Sequence, residues 1–275
     1  MTEILVGADP ELFVKDRTTN SYVSGHGMVP GTKEKPFRVD SGAVQVDGTA
    51  LEFNIDPASS PMEFVHNVRK VMDQLNKMIP DNFVVVADAV ANYDPEYFKQ
   101  VPEDAKALGC DPDFNAWGMK QNTPPEVDQP MRTASGHVHV GWGDFSDSWM
   151  NADHFLTCGM VARQLDYYLG INSLLWDPDD TRRSMYGKAG AFRPKPYGME
   201  YRVLSNAWLK DDRLISWVYN TTVKAVQDLM DGYAPEDKHG SLAQQVIDNN
   251  ELDWPERYPD LSPVSFDALD QKEVA

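Results

Sequence analysis

The sequence predicts an α+β protein in which a mainly antiparallel sheet carries its helices on one face. Two observations point there. Strand-like runs arrive in hairpins, with no βαβ alternation of the kind a parallel sheet needs. The helices come as long, separate amphipathic pieces. With 275 residues the chain can form one large domain or two small ones around a substantial core. One domain is expected over residues 1–235. The acidic, proline-rich stretch 236–275 is expected as a poorly packed tail with one short helix.

The elements follow in order. Ile4–Val14 has the composition of a strand, with Pro10 inside it marking an edge or a bulge. Residues 15–40 are turn-rich. Val44–Ile55 is a hairpin about Asp47–Gly48, a favoured turn dipeptide. A helix starts at Ser60: Pro61 suits the first helical position and Glu63 completes a capping box. Phe64, Val68, Val71, Met72, Leu75 and Met78 then recur at helical spacing. Phe83–Val90 is an apolar strand, and 91–131 is rich in loops. Ser135–Trp142, "SGHVHVGW", alternates like a strand and places His137 and His139 on one face, opposite Val138 and Val140. A helix covers Asp153–Leu169, with Gly170 ending or breaking it. A polar loop spans 177–198, Met199–Leu204 is a strand, Asp211–Met230 is a helix, and a short helix fits Ser241–Asn249.

The net charge of −18 and the lack of a basic patch argue against duplex nucleic acid as a partner. No run of 18 apolar residues predicts a membrane span, and "MTEILVGADPEL" does not resemble a secretory signal. Two distant cysteines, Cys110 and Cys158, fit a reduced, cytoplasmic setting.

Four predicted strands pair an apolar face with a polar one. The polar faces carry Asp9 and Glu11, Glu52 and Asn54, His137 and His139, and Glu200 and Arg202. An exposed antiparallel face is polar in any case, but solvated faces mix in lysine, and these pairs contain none. Carboxylates crowded on one face repel, and cations relieve the repulsion. Several carboxylates with one or two imidazoles favour Mg²⁺ or Mn²⁺ over Zn²⁺. His66 and His154 fall in helices and fit structural roles, His239 lies in the tail, and His26 lies in the glycine-rich "SGHGMVPGTK". The loop "RRSMYGKAGAFRPKPYG" gathers Arg182, Arg183, Lys188, Arg193 and Lys195. Such a loop beside a divalent-cation site suits a polyphosphate, although a solvated loop has the same composition and no Walker A pattern is present. Lys33 and Lys35 in "VPGTKEKP" form a second basic spot.

Five blocks in order, "GADPEL", "DGTALEFNIDPA", "GCDPDFNAW", "RTASGHVHVGW" and "YGKAGAFRPKPYGMEYRVLSNAW", resemble the phage-type carboxylate–amine ligases of the glutamine-synthetase-like superfamily, relatives of the glutamate–cysteine ligases. The resemblance runs from about residue 5 to about residue 210. It implies a curved sheet whose concave face binds Mg–ATP, backed by helices. It implies metal ligation by Asp9, Glu11, Asp47, Glu52, His139 and Glu200; many relatives have two glutamates where this chain has Asp-Pro-Glu. It implies that Arg193 and Arg202 neutralise phosphate or substrate carboxylate, with Arg202 alternatively an ion-pair partner orienting Glu200. Lys188, Lys195 and Arg183 join Arg193 as candidate nucleotide contacts. Arg132, His137 and Asn54 are candidate substrate contacts, and Asn115 and Trp117 flank the acceptor side.

The implied reaction is amide formation through an acyl phosphate, with ATP and Mg²⁺ (or Mn²⁺) as cofactors and a small-molecule or peptide carboxylate and amine as substrates. If the chain is phage-encoded, its place is the host cytoplasm. Three alternatives stand beside this. One is a guanidino-kinase-like phosphotransferase on the same fold, one a zinc hydrolase using His137 and His139, and one a binding module without catalysis.

Overall fold

The computed structural model describes residues 3–106, 113–123, 130–148 and 151–265. Cys110 and the start of the "GCDPDFNAW" block lie outside them. In chain order the first strands are Leu5–Ala8 (β1), Glu11–Asp16 (β2), Tyr22–Val23 (β3), Phe37–Val39 (β4), Gly42–Asp47 (β5) and Ala50–Ile55 (β6). Helix Pro61–Met78 (α1) precedes Phe83–Val86 (β7) and Val90–Asn92 (β8). Then come Pro95–Gln100 (α2), Glu103–Lys106 (α3), Phe114–Asn115 (β9), Lys120–Gln121 (β10), Met131–Thr133 (β11) and Val138–Gly141 (β12). Helix Ala152–Leu165 (α4) runs through a π-turn, Asp166–Gly170, into Ile171–Ser173 (α5). Thr181–Met185 (α6), Ala191–Lys195 (β13), Gly198–Tyr201 (β14) and Asp212–Met230 (α7) follow. Three short helices close the described chain: Glu236–His239 (α8), Leu242–Asp248 (α9) and Trp254–Arg257 (α10).

The strands form antiparallel sheets, and among the described residues none closes into a barrel. One sheet has the order β1-β12-β14-β13-β9-β10. A second has the order β3-β2-β6-β5-β4, with β7 also on β2, and β8 pairs β11. The first two sheets are joined by one run of chain. Ile4–Val14 is not a single strand: it divides at Asp9–Pro10 into β1, which pairs β12, and β2, which pairs β6 and β7. Proline has no N–H to give a ladder, and here its carbonyl instead accepts from Phe53 N at 3.1 Å. Asp9 N and Glu11 N donate to His137 O and Ser135 O, at 3.4 and 2.9 Å, so the strand before β12 follows the chain across the junction. The β5–β6 hairpin turns at Gly48–Thr49, where Gly48 has φ 59°.

The helices cover one face. α1 packs on β5 and β6, α4 on β13 and β14, and α7 touches both α1 and α4. Beneath them Leu51, Phe53, Val138, Val140, Met199 and Tyr201 are fully buried. At the start of α1, Ser60 Oγ accepts from Glu63 N at 3.3 Å; the Glu63 carboxylate reaches one residue further back than the capping box predicts, to Ser59 N at 2.8 Å.

Four further expectations are corrected. Phe83–Val90 is two strands, because β7 stays with β2 while β8 leaves to pair β11. Residues 91–131 include the helices α2 and α3. Gly170 does not end the long helix. It lies in the π-turn, where a Cβ would come within 2.6 Å of Ile247 Cδ1 and 2.7 Å of Tyr201 Oη, so glycine serves close packing there. Finally, residues 236–265 are not a loose tail with one helix. Ala243, Val246, Ile247, Trp254 and Leu261 are buried in the main core, so α9 and α10 dock on it, while α8 buries no residue.

Candidate active site

The register of the strands lines up a polar row. Arg193 pairs with Glu200, Glu200 with His139, and His139 with Gly7; on the second sheet Glu11 pairs with Glu52 and Glu52 with Gln45. Asp9 sits at the junction of the two sheets. Its Oδ1 is 3.0 Å from His139 Nε2 and 3.3 Å from His137 Nδ1, which is itself 3.3 Å from Glu200 Oε1. One ligand atom from each of Asp9, His139 and Glu200 falls within a 4.8 Å span. Asp9 Oδ1 and His139 Nε2 are buried and neither has a hydrogen-bond partner. Two converging atoms without hydrogen bonds, each able to offer a lone pair when His139 is neutral at Nε2, with a second carboxylate beside them, fit a hard divalent cation.

Glu200 is the electrostatic centre. It is fully buried, yet Lys195 Nζ lies 2.8 Å and Arg193 Nη1 3.4 Å from its Oε2, and Arg202 Nη1 donates to its Oε1. Arg202 also donates from Nε to Asp113 Oδ2 at 3.1 Å. Burial and the charge of Asp9 push the Glu200 carboxyl up, but Arg202, His137 and His139 outweigh them and hold it low. Burial likewise raises the Asp9 carboxyl, and the two imidazoles outweigh it, holding it well below the usual aspartate range. His137, buried beside Arg202, is pushed down to about 4 and is neutral at pH 7. His139 Nδ1 is hydrogen-bonded to Tyr197 Oη, and the two rings stack with centroids 5.9 Å apart.

The remaining carboxylates behave oppositely. Burial, then the charge of Asp47, pushes Glu11 up to about 8, although Ser135 N donates to its Oε2 at 2.7 Å. Burial, then Asp9, Asp47 and Glu11, raises Glu52 well above its ordinary value; its Oε2 accepts from Gln45 Nε2 at 2.8 Å. Burial raises Asp47, with Lys33 opposing it. These acids stand close enough to resist joint ionisation, which a bound cation would permit.

Two cavities flank the cluster. One is lined by Asp9, Glu52, Asn54, His139 and Tyr197 above an apolar wall of Leu5, Ile55 and Pro57. The other is lined by Glu11, Asp47, Arg132, His137, Arg182 and Arg202. Of the residues singled out in the sequence, Asp9, His137, His139, Arg193, Lys195, Glu200 and Arg202 come together. Glu11, Glu52, Asn54, Asp47 and Arg132 line the flanking cavities; Arg132 lies against the Phe98 ring and donates to Lys106 O at 2.6 Å.

Arg183 and Lys188 do not reach the cluster. Arg183, on α6, is buried and donates to Asn250 Oδ1 at 2.6 Å and Asp177 O at 3.0 Å; Lys188 is exposed and its charge acts on Asp248. Asn115 caps its own turn through Trp117 N and Gly118 N, and Trp117 donates from Nε1 to Asp166 at 2.6 Å, so both are structural. His26 faces Asp104 at 3.9 Å, His66 is exposed on α1, and His154 is tied to the Lys195 and Gly198 carbonyls at 3.0 and 3.1 Å. Sequence reasoning missed Tyr197, and it named Arg182 only among the basic residues of a possible polyphosphate loop. Tyr197 lies in the stretch that drew attention for its charge, but a single tyrosine there carries no periodic signal.

A family model described as "phage phiEco32-like COOH.NH2 ligase-type 2" matches residues 148–230. The chain is thus similar to carboxylate–amine ligases of phage type, as five blocks of its sequence also indicate. The matched stretch takes in Arg193, Lys195, Glu200 and Arg202. No curated protein matches the chain. Among solved structures, a bifunctional glutathione synthetase from Pasteurella multocida aligns at 12% identity and a TM-score of 0.38. That alignment covers 63% of this chain, which spans 23% of the synthetase. No helix of the described residues is long and apolar enough to cross a membrane.

Proposed function

We propose that this protein is an ATP- and Mg²⁺-dependent carboxylate–amine ligase, built as a glutamine-synthetase-like curved sheet, that forms an amide through an acyl phosphate. The observation that carries the reading is the convergence of Asp9, His139 and Glu200 on one point, with Arg193, Lys195 and Arg202 gathered around Glu200. The family match over 148–230 supports the reaction class.

In this reading Asp9, His139 and Glu200 hold a divalent cation, which when bound draws charge from the phosphate oxygens. Arg193 and Lys195 turn from Glu200 towards the transferring phosphoryl group, while Arg202, fixed by Asp113, keeps Glu200 in place. The substrate carboxylate attacks the γ-phosphorus and expels ADP. The amine then attacks the acyl carbon and expels phosphate. The chain's part is to align the reactants, balance charge and exclude water from the acyl phosphate. A donor set of two carboxylates and one imidazole suits magnesium or manganese better than the zinc of a hydrolase.

The test is calorimetric titration of a non-hydrolysable ATP analogue, with Mg²⁺ and with EDTA, into wild type and His139→Ala. Metal-dependent binding that is lost in the variant supports the reading. No binding under either condition removes the ATP step and the ligase with it.

A further inference from the structure

Arg182 is a buried cation that touches no carboxylate: Asp177 and Glu11 act on it only through space. It lies on α6 and is 3% exposed. Its Nη1 donates to Val203 O at 2.8 Å, and its Nη2 donates to Ser135 Oγ at 3.0 Å and Arg202 O at 3.1 Å. All three acceptors are neutral. Its Nε is buried without a hydrogen-bond partner, and among the described residues no carboxylate is ion-paired with it. Gly187, at φ +77°, makes room for the guanidinium: a Cβ there would come within 2.2 Å of Nη1. A buried charge without a partner is costly unless a ligand supplies one.

The guanidinium lines the cavity that holds Glu11, Asp47, Arg132 and Arg202, distinct from the cavity that Tyr197 lines. Ser135 joins it to Glu11, donating to Glu11 through its N–H and accepting from Arg182 through its hydroxyl. Asp113 in the same wall, with Asp47 and Glu11 to the extent that they ionise, disfavours a multiply charged phosphate more than a singly charged carboxylate, and these acids suit an ammonium group.

We propose that this cavity binds a substrate carboxylate that the reaction does not consume, with Arg182 as its ion-pair partner. The molecule held there is therefore an amino acid or a dicarboxylate, not a simple amine or monocarboxylate. Calling that molecule a substrate rests on the ligase reading; the anion site itself does not.

The experiment is calorimetric titration of the full chain, with Mg²⁺ and a non-hydrolysable ATP analogue present, using glycine against glycinamide, glutarate against its monoamide, and inorganic phosphate. At least one carboxylate is expected to bind tenfold or more tightly than its amide. A glycine preference marks an amino-acid acceptor and a glutarate preference a dicarboxylate donor. Arg182→Gln is expected to abolish the preference while the ligand-free variant melts no more than a few degrees below wild type. Equal binding of acid and amide in both pairs, no binding of any carboxylate, or binding of phosphate alone overturns the proposal. If Arg182→Gln does not fold, the wild-type pairs decide alone. Should the ATP analogue fail to bind, the ligase reading falls, and the same pairs titrated without nucleotide still decide the anion site.

Discussion

Asp9 Oδ1 and His139 Nε2 lie 3.0 Å apart, both buried and neither in a hydrogen bond. A carboxylate from the junction of two sheets and an imidazole from the neighbouring strand are thus aimed at one another without satisfying one another. Such a pair is poised for a third party.

Asp9→Asn and His139→Ala should each weaken Mn²⁺ binding by at least about tenfold, as losing a ligand or its close support typically does. Electron paramagnetic resonance titration of Mn²⁺ checks this. Unchanged affinity in both variants would mean that the cation, if bound, sits elsewhere.

Arg193 and Arg202 both touch Glu200 but should respond differently to alanine. Arg202 is almost fully buried between Glu200 and Asp113. Its loss leaves two acids without their cation, and a stability loss of about 3–5 kcal/mol is expected in urea unfolding. Arg193 is more exposed and shares Glu200 with Lys195. Arg193→Ala should cost less stability than Arg202→Ala, because Lys195 still balances Glu200, and should weaken nucleotide binding. Equal stability losses would contradict the division of roles.

The metal-free protein should lose stability as pH rises from about 4.5 to about 8. Glu11 and Glu52 bind protons more tightly folded than unfolded, so across this window the unfolded chain has released protons that the folded chain retains. Glu200 and Asp9 act with the opposite sign. Their carboxyls are lowered, so their contribution is present above pH of about 4.5 and is lost as pH falls below it. Thermal melts from pH 4 to 9 with EDTA should show the alkaline decline, Glu52→Gln should reduce it, and Mg²⁺ should flatten it. A melting temperature that climbs steadily to pH 8 would refute the assignment.

Gly170→Ala should destabilise the fold. In an ordinary helix this change gains up to about 1 kcal/mol. Here the new methyl would meet Ile247 and Tyr201 inside 2.8 Å, and a loss of about 1–3 kcal/mol is expected. Denaturant midpoints decide the sign.

Much of the fold was legible because it rests on local rules. The α1 start at Ser60–Pro61, the β5–β6 hairpin (its turn one residue later than expected, at Gly48–Thr49) and the alternation of "GHVHV" are each set by neighbours within a few residues. The break at Asp9–Pro10 was half legible: proline announced a bulge, but only the partners of β1 and β2 show that the chain changes sheets there. The packing of residues 236–265 was not legible, because short helices with few apolar residues are stabilised by the surface they dock on.

For the site, the sequence by itself determined which side chains share a face, since strand alternation places His137 with His139 and Glu200 with Arg202 whatever the tertiary arrangement. Only the tertiary structure decided which faces meet. Register put His139 opposite Glu200 and Gly7, the sheet junction carried Asp9 to both imidazoles, and helix α6 delivered Arg182 while turning Arg183 away. The reason is physical: a local pattern fixes the direction of a side chain relative to its own backbone, whereas the distance between two strands depends on pairing energies summed over the whole sheet.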